Sequence, residues 1–343
     1  MKKIGVLSSS GEVRQPDAYK SAPQELHVAI ATLSLGGAER IVLDWAERIY
    51  PRWRVHLIVL RNRNQEWPVP SFVRVTRLGG NNLPKSLERI GAVIAKSSNP
   101  VCVSHLLSIR ERRALSDVGV IAVPVFHNAK SGWAEKSAHQ IANAPYAVAV
   151  SQSCADELKE DGWPGSTTVI RHIPKVLKNS PDVRSRMRRA WNIPENALVI
   201  GMIGAVKPQK DYVSALQIFR EFLARGNDAY LVIIGGPVNM GIGKETWNNV
   251  VEQVNALGVR HRVAIPGFIA DATRVLSVFD VMFNSSHFEG LSIATLDALL
   301  AGLPVVASQV GGQGEISHDS LYLVPKNAHT NVWVDALEKA VHQ

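Results

Sequence analysis

The stretch from residue 281 to residue 307 constrains the fold more than any other part of the chain. Residues 281–283 form a short apolar run that ends in Asn284, Ser285 and Ser286, as a buried strand ends in polar residues at a sheet edge. His287-Phe288-Glu289-Gly290 follows as a tight loop. Ser292 suits the N-cap of a helix running to about Ala301, where Gly302 and Pro304 give a stop signal. Residues 304–307 read as the next strand. Strand, glycine loop, helix, strand is a unit that presents backbone N–H groups and a positive helix end to a phosphate. Two carboxylates nevertheless flank that helix end, Glu289 in the loop and Asp297 on the second turn. Such a site makes electrostatic sense if the ligand also carries hydroxyls, and a nucleotide-sugar carries both.

The rest of the chain repeats the same alternation. Strands are expected at 26–32, 55–60, 73–78, 101–104, 121–126 and 146–150, with helices after Arg40, at 83–96 and from Ser151 to about Glu160. The pattern restarts at 198–203, with further strands at 230–234, 263–265 and 321–324 and helices at 211–225, 246–257, 272–279 and 331–342. Alternating β and α segments imply doubly wound parallel sheets. The α/β class therefore follows, as two Rossmann-like domains, 26–178 and 197–343, facing one another across a cleft. Pro174, Pro181 and Pro194 mark 179–196 as the linker. Residues 1–25 lack sustained periodicity and read as an N-terminal extension.

Composition narrows the class. Length, 46% hydrophobic and 20% charged residues fit a globular protein of two ordinary domains. Two cysteines, Cys102 and Cys154, make neither a disulfide framework nor a zinc site. No apolar run approaches the ~20 residues of a membrane span, and the start of the chain is a poor signal peptide, so a cytoplasmic location is expected. Residues 1–180 hold 24 Lys and Arg against 15 Asp and Glu, whereas 181–343 hold 14 against 15. The basic half should face any anionic partner. An anionic membrane surface is the expected one, making the protein peripheral on the inner face of the membrane. The basic residues are dispersed without a recognised nucleic-acid motif, so nucleic acid is not expected.

The residues at 284–312 resemble the donor-binding segment of the retaining GT-B glycosyltransferases of family 4. The family pattern is a glutamate and a glycine turn, then a second glutamate after seven residues. Glu289 and Gly290 match it, and Asp297 stands in the second position, one methylene shorter. The resemblance runs from about residue 26 and is strongest over 198–312. It implies a hexosyltransferase that moves a sugar, with retention, from a nucleoside-diphosphate donor to a glycan or lipid-linked acceptor hydroxyl, in cell-surface polysaccharide, lipopolysaccharide or glycolipid synthesis. On that resemblance Glu289 contacts the donor sugar, the backbone of Gly290, Leu291 and Ser292 lines sugar and diphosphate, and Asp297 accepts from the ribose.

Lys210 matches the lysine that pairs with donor phosphates, although the loop has Ala205 and Asp211 where the family has arginine and glycine. Lys207 is close enough to substitute. Gly36 and Gly37 open the first helix, where amides can approach a ligand that a Cβ would block, and the family sets this loop beside the donor phosphates. His127 follows a strand and matches a family histidine near the donor sugar. No D-x-D and no metal-spaced His/Cys cluster occurs, so neither metal nor cofactor is expected. Two other readings share these features: a nucleotide-sugar epimerase on a similar fold, and a degenerate, non-catalytic family member that still binds nucleotide-sugar.

Overall fold

Each half of the chain folds as its own parallel sheet in the computed structural model, which describes residues 24–79, 82–133, 144–175, 181–237 and 242–343. The expected extension lies outside these, save for residues 24 and 25, which already belong to the first strand. The first domain holds β1 (Gln24–Ile30), α1 (Gly37–Ile49), β2 (Trp53–Val59), β3 (Arg74–Arg77), α2 (Leu83–Ala95) and β4 (Val101–His105). It continues with α3 (Ile109–Ser116), β5 (Ile121–Phe126), β6 (Tyr146–Ala149), α4 (Gln152–Glu160) and β7 (Ser166–Val169). Its seven strands pair in the order β3-β2-β1-β4-β5-β6-β7, all parallel.

The second domain comprises α5 (Pro181–Ala190), β8 (Leu198–Ile203), α6 (Tyr212–Ala224), β9 (Ala229–Ile234), α7 (Ile242–Ala256) and β10 (Val263–Gly267). A 3₁₀ segment at Ala272–Val278 replaces the expected helix, and β11 (Val281–Asn284), α8 (Ile293–Leu300), β12 (Val305–Ser308), β13 (Leu321–Val324) and α9 (Thr330–Val341) complete it. The order is β10-β9-β8-β11-β12-β13, again parallel. The central unit forms as its residues dictate. Ser292 Oγ accepts from Thr295 N at 3.3 Å to cap α8, and Gly302 takes φ +81° just past the helix end, where a Cβ would be strained.

Helix α3 has no counterpart in the sequence-derived pattern, because its IRERRALS sequence is too charged to show an apolar stripe. Its start was nonetheless written in the chain as Ser108-x-x-Glu111. Ser108 N donates to Glu111 Oε2 at 2.7 Å and Glu111 N to Ser108 Oγ at 3.4 Å, a capping box.

The stretch between the prolines folds as α5 and packs on the second domain. Arg188, fully buried, donates to the carbonyls of Glu195, Ala197 and Val278 at 2.6, 2.7 and 3.0 Å and to Asp280 Oδ2 at 2.9 Å. Arg184 holds the other Asp280 oxygen at 2.7 Å. Removing Arg188, the buried member, takes the donor from these carbonyls and one of the two guanidinium partners from Asp280. Arg188→Ala is therefore expected to destabilise the second domain by about 3–5 kcal/mol, read by urea unfolding. A loss below about 1 kcal/mol, the range of exposed pairs, would mean that α5 is only loosely attached.

Candidate functional site

Strand order reverses between β1 and β4 in the first sheet and between β8 and β11 in the second. Crevices at the carboxyl ends of strands beside such reversals are where open α/β sheets bind ligands. Loops from both domains enclose one cavity of about 870 Å³ there. Gly36, Gly37 and His127 line it from the first domain. Lys207, Lys210, Glu289, Leu291, Ser292 and Asp297 line it from the second. A second cavity of about 900 Å³, between the 207–213 loop and α7, shares only Lys207 with these sequence-derived residues.

The loop after β11 rests on a buried polar network. Asn284 Nδ2 donates to Ser292 Oγ and Gln313 Oε1, both at 3.1 Å, while its Oδ1 accepts from Ser286 N at 3.0 Å. Ser286 Oγ also lies 2.7 Å from Glu289 Oε1, and Ser308 Oγ donates to the Ser286 carbonyl at 2.7 Å. Lys210 Nζ donates to the same Glu289 oxygen, so the sequence-derived cation and carboxylate form an ion pair at the cavity wall. Gln209 fixes the loop from the other side: its Nε2 donates to Phe288 O at 2.6 Å and its carbonyl accepts from His287 N at 2.8 Å. Asp211 takes a left-handed backbone (φ +47°) and caps α6 through Ser214 N at 3.3 Å. Its short polar side chain is one of the few that tolerate this conformation.

Asp297 is neither on the surface nor free. Arg40, one turn into α1 of the opposite domain, donates to it bidentately, Nη1 to Oδ2 at 2.6 Å and Nη2 to Oδ1 at 3.1 Å. Arg40 Nε also lies 3.6 Å from Asp44. Burial raises the Asp297 carboxyl above the ordinary aspartate range against the pull of Arg40, so the pair is needed to keep a buried carboxylate charged. The arginine had been written in the run SLGGAER, but nothing in that run tells which domain its side chain reaches. Burial, then the charge of Lys210, also weakens the basicity of Lys207.

Close approach brings the domains together. Gly290 sits behind the cavity wall, where a Cβ would overlap the His127 carbonyl, and a Cβ on Gly37 would stand 2.9 Å from Ile293 Cδ1. The N-termini of α1 and α8 thus converge on the cavity. Leu291 is buried in an apolar cluster whose other buried members, Phe126 and Val150 among them, come from the first domain. Glu315 crosses to the first domain and accepts from the first amides of α4, Gln152 N at 2.9 Å and Ser153 N at 2.6 Å, and from Arg171 Nη2 at 2.7 Å. Burial would raise its carboxyl, but the two amides and Arg171 outweigh this and hold it low.

His127 faces the cavity with its nitrogens turned away. Nε2 is 2.9 Å from His105 Nδ1, and Nδ1 is buried with no partner among the described residues. Burial, helped by the neighbouring His172, lowers its pKa to about 4, and burial does the same to His172. Leu106, next to His105, lines the same cavity with φ +59°. A strained backbone of this kind costs about 1–3 kcal/mol, and no sequence signal marks it.

The pairing of two such domains around this cleft is the GT-B architecture. Sucrose-phosphate synthase from Thermosynechococcus elongatus superposes with a TM-score of 0.74 at 16% identity, over 93% of this chain and 90% of its own. Anabaena HepE in complex with UDP and glucose gives 0.73 at 18%, over 93% and 92%. Residues 183–343 match the family glycosyl transferases group 1. A D-inositol 3-phosphate glycosyltransferase of Mycolicibacterium gilvum is 29% identical over 151 residues, 43% of this chain and 33% of that protein. Matches to such curated relatives span from 32% to 57% of their lengths.

Two outcomes follow from the geometry. His127 and His172 bind protons more weakly in the fold than the ordinary pKa of 6.5. As pH falls from 6.5 towards 4 the unfolded chain takes up protons that the fold refuses, so stability present above 6.5 is lost, by up to about 1.4 kcal/mol per pH unit for each ring. Denaturant unfolding across this range should show that slope, and His127→Gln should flatten it by about one proton. An unchanged slope would mean that the ring is not held neutral. Gly290→Ala should force the loop off the His127 carbonyl and loosen the domain contact, visible as a larger radius of gyration by small-angle scattering; an unchanged radius would contradict the close approach.

Proposed function

We propose that the chain is a glycosyltransferase that moves a sugar from a nucleoside-diphosphate donor to an acceptor hydroxyl with retention. One observation carries this reading: two helix N-termini, Lys207 and Lys210 converge with the hydroxyl-seeking carboxylates Glu289 and Asp297 on one cavity between the sheets. The cations and helix ends suit a diphosphate, and the carboxylates suit the sugar and ribose hydroxyls beside it. The volume is of the order of the ~300–1,000 Å³ of small-molecule sites. The HepE structure holds UDP and glucose, which favours UDP as the base-bearing half and glucose among the sugars.

In the reaction the bond from the anomeric carbon to the phosphate oxygen breaks as the acceptor oxygen bonds to the same face of that carbon. The acceptor proton passes to the departing phosphate oxygen, so no protein nucleophile is used. Lys210, Lys207 and the α8 amides stabilise the charge that builds on the diphosphate, which is worth most in a water-poor cleft. Glu289 orients the sugar, and Asp297 takes the ribose. His127, neutral, lines the sugar side of the cavity with its ring, its nitrogens held in the wall. Leu106 and the first domain receive the acceptor, glycan or lipid-linked, and the basic surface of that domain faces an anionic membrane from the cytoplasmic side. The charge work assigned to Lys210 and the helix ends leaves no step that calls for a metal.

The pre-formed Lys210–Glu289 pair and Ala205 also suit a non-catalytic nucleotide-sugar binder, and the test separates the two. UDP, GDP and ADP are compared by thermal shift, since a ligand that binds only the fold raises its melting temperature. Transfer or hydrolysis of UDP-glucose is then followed as release of UDP. Lys210→Ala should weaken diphosphate binding by about 1.5–3 kcal/mol, whereas Glu289→Gln should abolish turnover with diphosphate affinity nearly intact. Binding without turnover in the parent would establish the non-catalytic reading. No shift with any of the three nucleotides would overturn both.

A further inference from the structure

Arg40 lines the cleft without a task in the reading above, and it is placed to have one. It reaches the cavity from α1, opposite Lys207 and Lys210. Its guanidinium spends one N–H of each terminal nitrogen on Asp297. A guanidinium has five N–H donors in a fixed fork, so each terminal nitrogen keeps a second hydrogen. The other two cations that line the cavity are each weakened for a diphosphate: Lys210 shares its charge with Glu289, and Lys207 is made less basic by burial and by Lys210. The 204–211 loop contains no arginine. A donor diphosphate brings about two negative charges to this wall, and fork-shaped recognition of phosphate is what an arginine supplies and a lysine does not.

We propose, resting on the donor-site reading, that Arg40 is a diphosphate-binding residue supplied by the first domain and held ready by Asp297. When the donor binds, the guanidinium turns its fork to the diphosphate, and the Asp297 carboxylate that it leaves accepts from the ribose hydroxyls. One ion pair across the cleft is exchanged for two contacts to the donor, one from each domain. The exchange is near balance in charge, because the phosphate replaces the carboxylate beside Arg40 and hydroxyls replace the guanidinium beside Asp297. The shorter carboxylate is no handicap in this arrangement. The same Asp297 that is about one C–C bond, roughly 1.5 Å, shorter in reach than a glutamate is the one that Arg40 meets with both nitrogens.

The test compares UDP, GDP and ADP with their nucleosides uridine, guanosine and adenosine, by calorimetry for the diphosphates and ligand-observed NMR for the nucleosides. Arg40→Ala should weaken whichever diphosphate the parent binds by about tenfold or more, the loss of one charge-assisted contact, and leave the matching nucleoside within about twofold. Arg40→Lys, which keeps the charge without the fork, should fall between the two. Because Arg40→Ala leaves a buried carboxylate unpaired, the double variant Arg40→Ala/Asp297→Asn is measured against Asp297→Asn alone, which sets the cost of the altered ribose contact for nucleoside and diphosphate alike, and relative to it should lose only diphosphate affinity, again by about tenfold or more. Equal losses for diphosphate and nucleoside, or no loss for either, would overturn the proposal and leave Arg40 as a brace between domains. A parent that binds none of the three diphosphates fails earlier, at the donor-site reading itself, and is distinguished from this result by the parent titration alone.

Discussion

A carboxylate taken out of water must find a cation, and two such carboxylates organise this cleft. Glu289 finds Lys210 within its own domain. Asp297 finds Arg40 across the gap. Much of the surrounding structure serves these two pairings. The Asn284, Ser286 and Gln313 network holds the loop that carries Glu289. Glycine at 37 and 290 lets the helix ends and the His127 carbonyl come close enough for Arg40 to reach. Without those close approaches Asp297 would be buried and alone, which is costlier than the pair.

The domain contact is accordingly mixed in character. Leu291 supplies apolar burial among first-domain side chains, which is insensitive to salt. Glu315 places a charge against the positive end of α4, where an anion is favoured by the helix dipole. Arg40 and Asp297 add an ion pair that is largely shielded from solvent and so only weakly screened. A ligand able to satisfy both members of that last pair can change the contact without disturbing the other two. Such a ligand would link binding to domain geometry through that one contact rather than through the interface as a whole.

Much of this was legible in the chain. The alternation of short β-branched runs with helices gave both sheets. The unit from 281 to 307 gave strand, cap residue and helix end, because Ser292, Gly302 and Pro304 act through local backbone chemistry that the sequence states directly. Lys210, Glu289 and Asp297 were legible as a group because their spacing resembles a known pattern. What the sequence could not show is what depends on the two domains meeting. Arg40 lies far along the chain from Asp297, and its partner is set by how one sheet faces the other. The strained backbone at Leu106 and the inward turn of the His127 nitrogens are packing outcomes of the same kind. Helix α3 is a different case: its capping box was present, and its charged composition hid it from a reading based on apolar periodicity.

The account rests on a nucleoside diphosphate occupying the cleft between the β1/β4 and β8/β11 strand ends. A crystal structure with bound UDP, GDP or ADP tests that most directly. The diphosphate should lie within hydrogen-bonding distance of Lys210 and the first amides of α8, with the ribose hydroxyls on Asp297. A nucleotide found in the cavity beside α7, or one whose phosphates avoid Lys210 and α8, would contradict it.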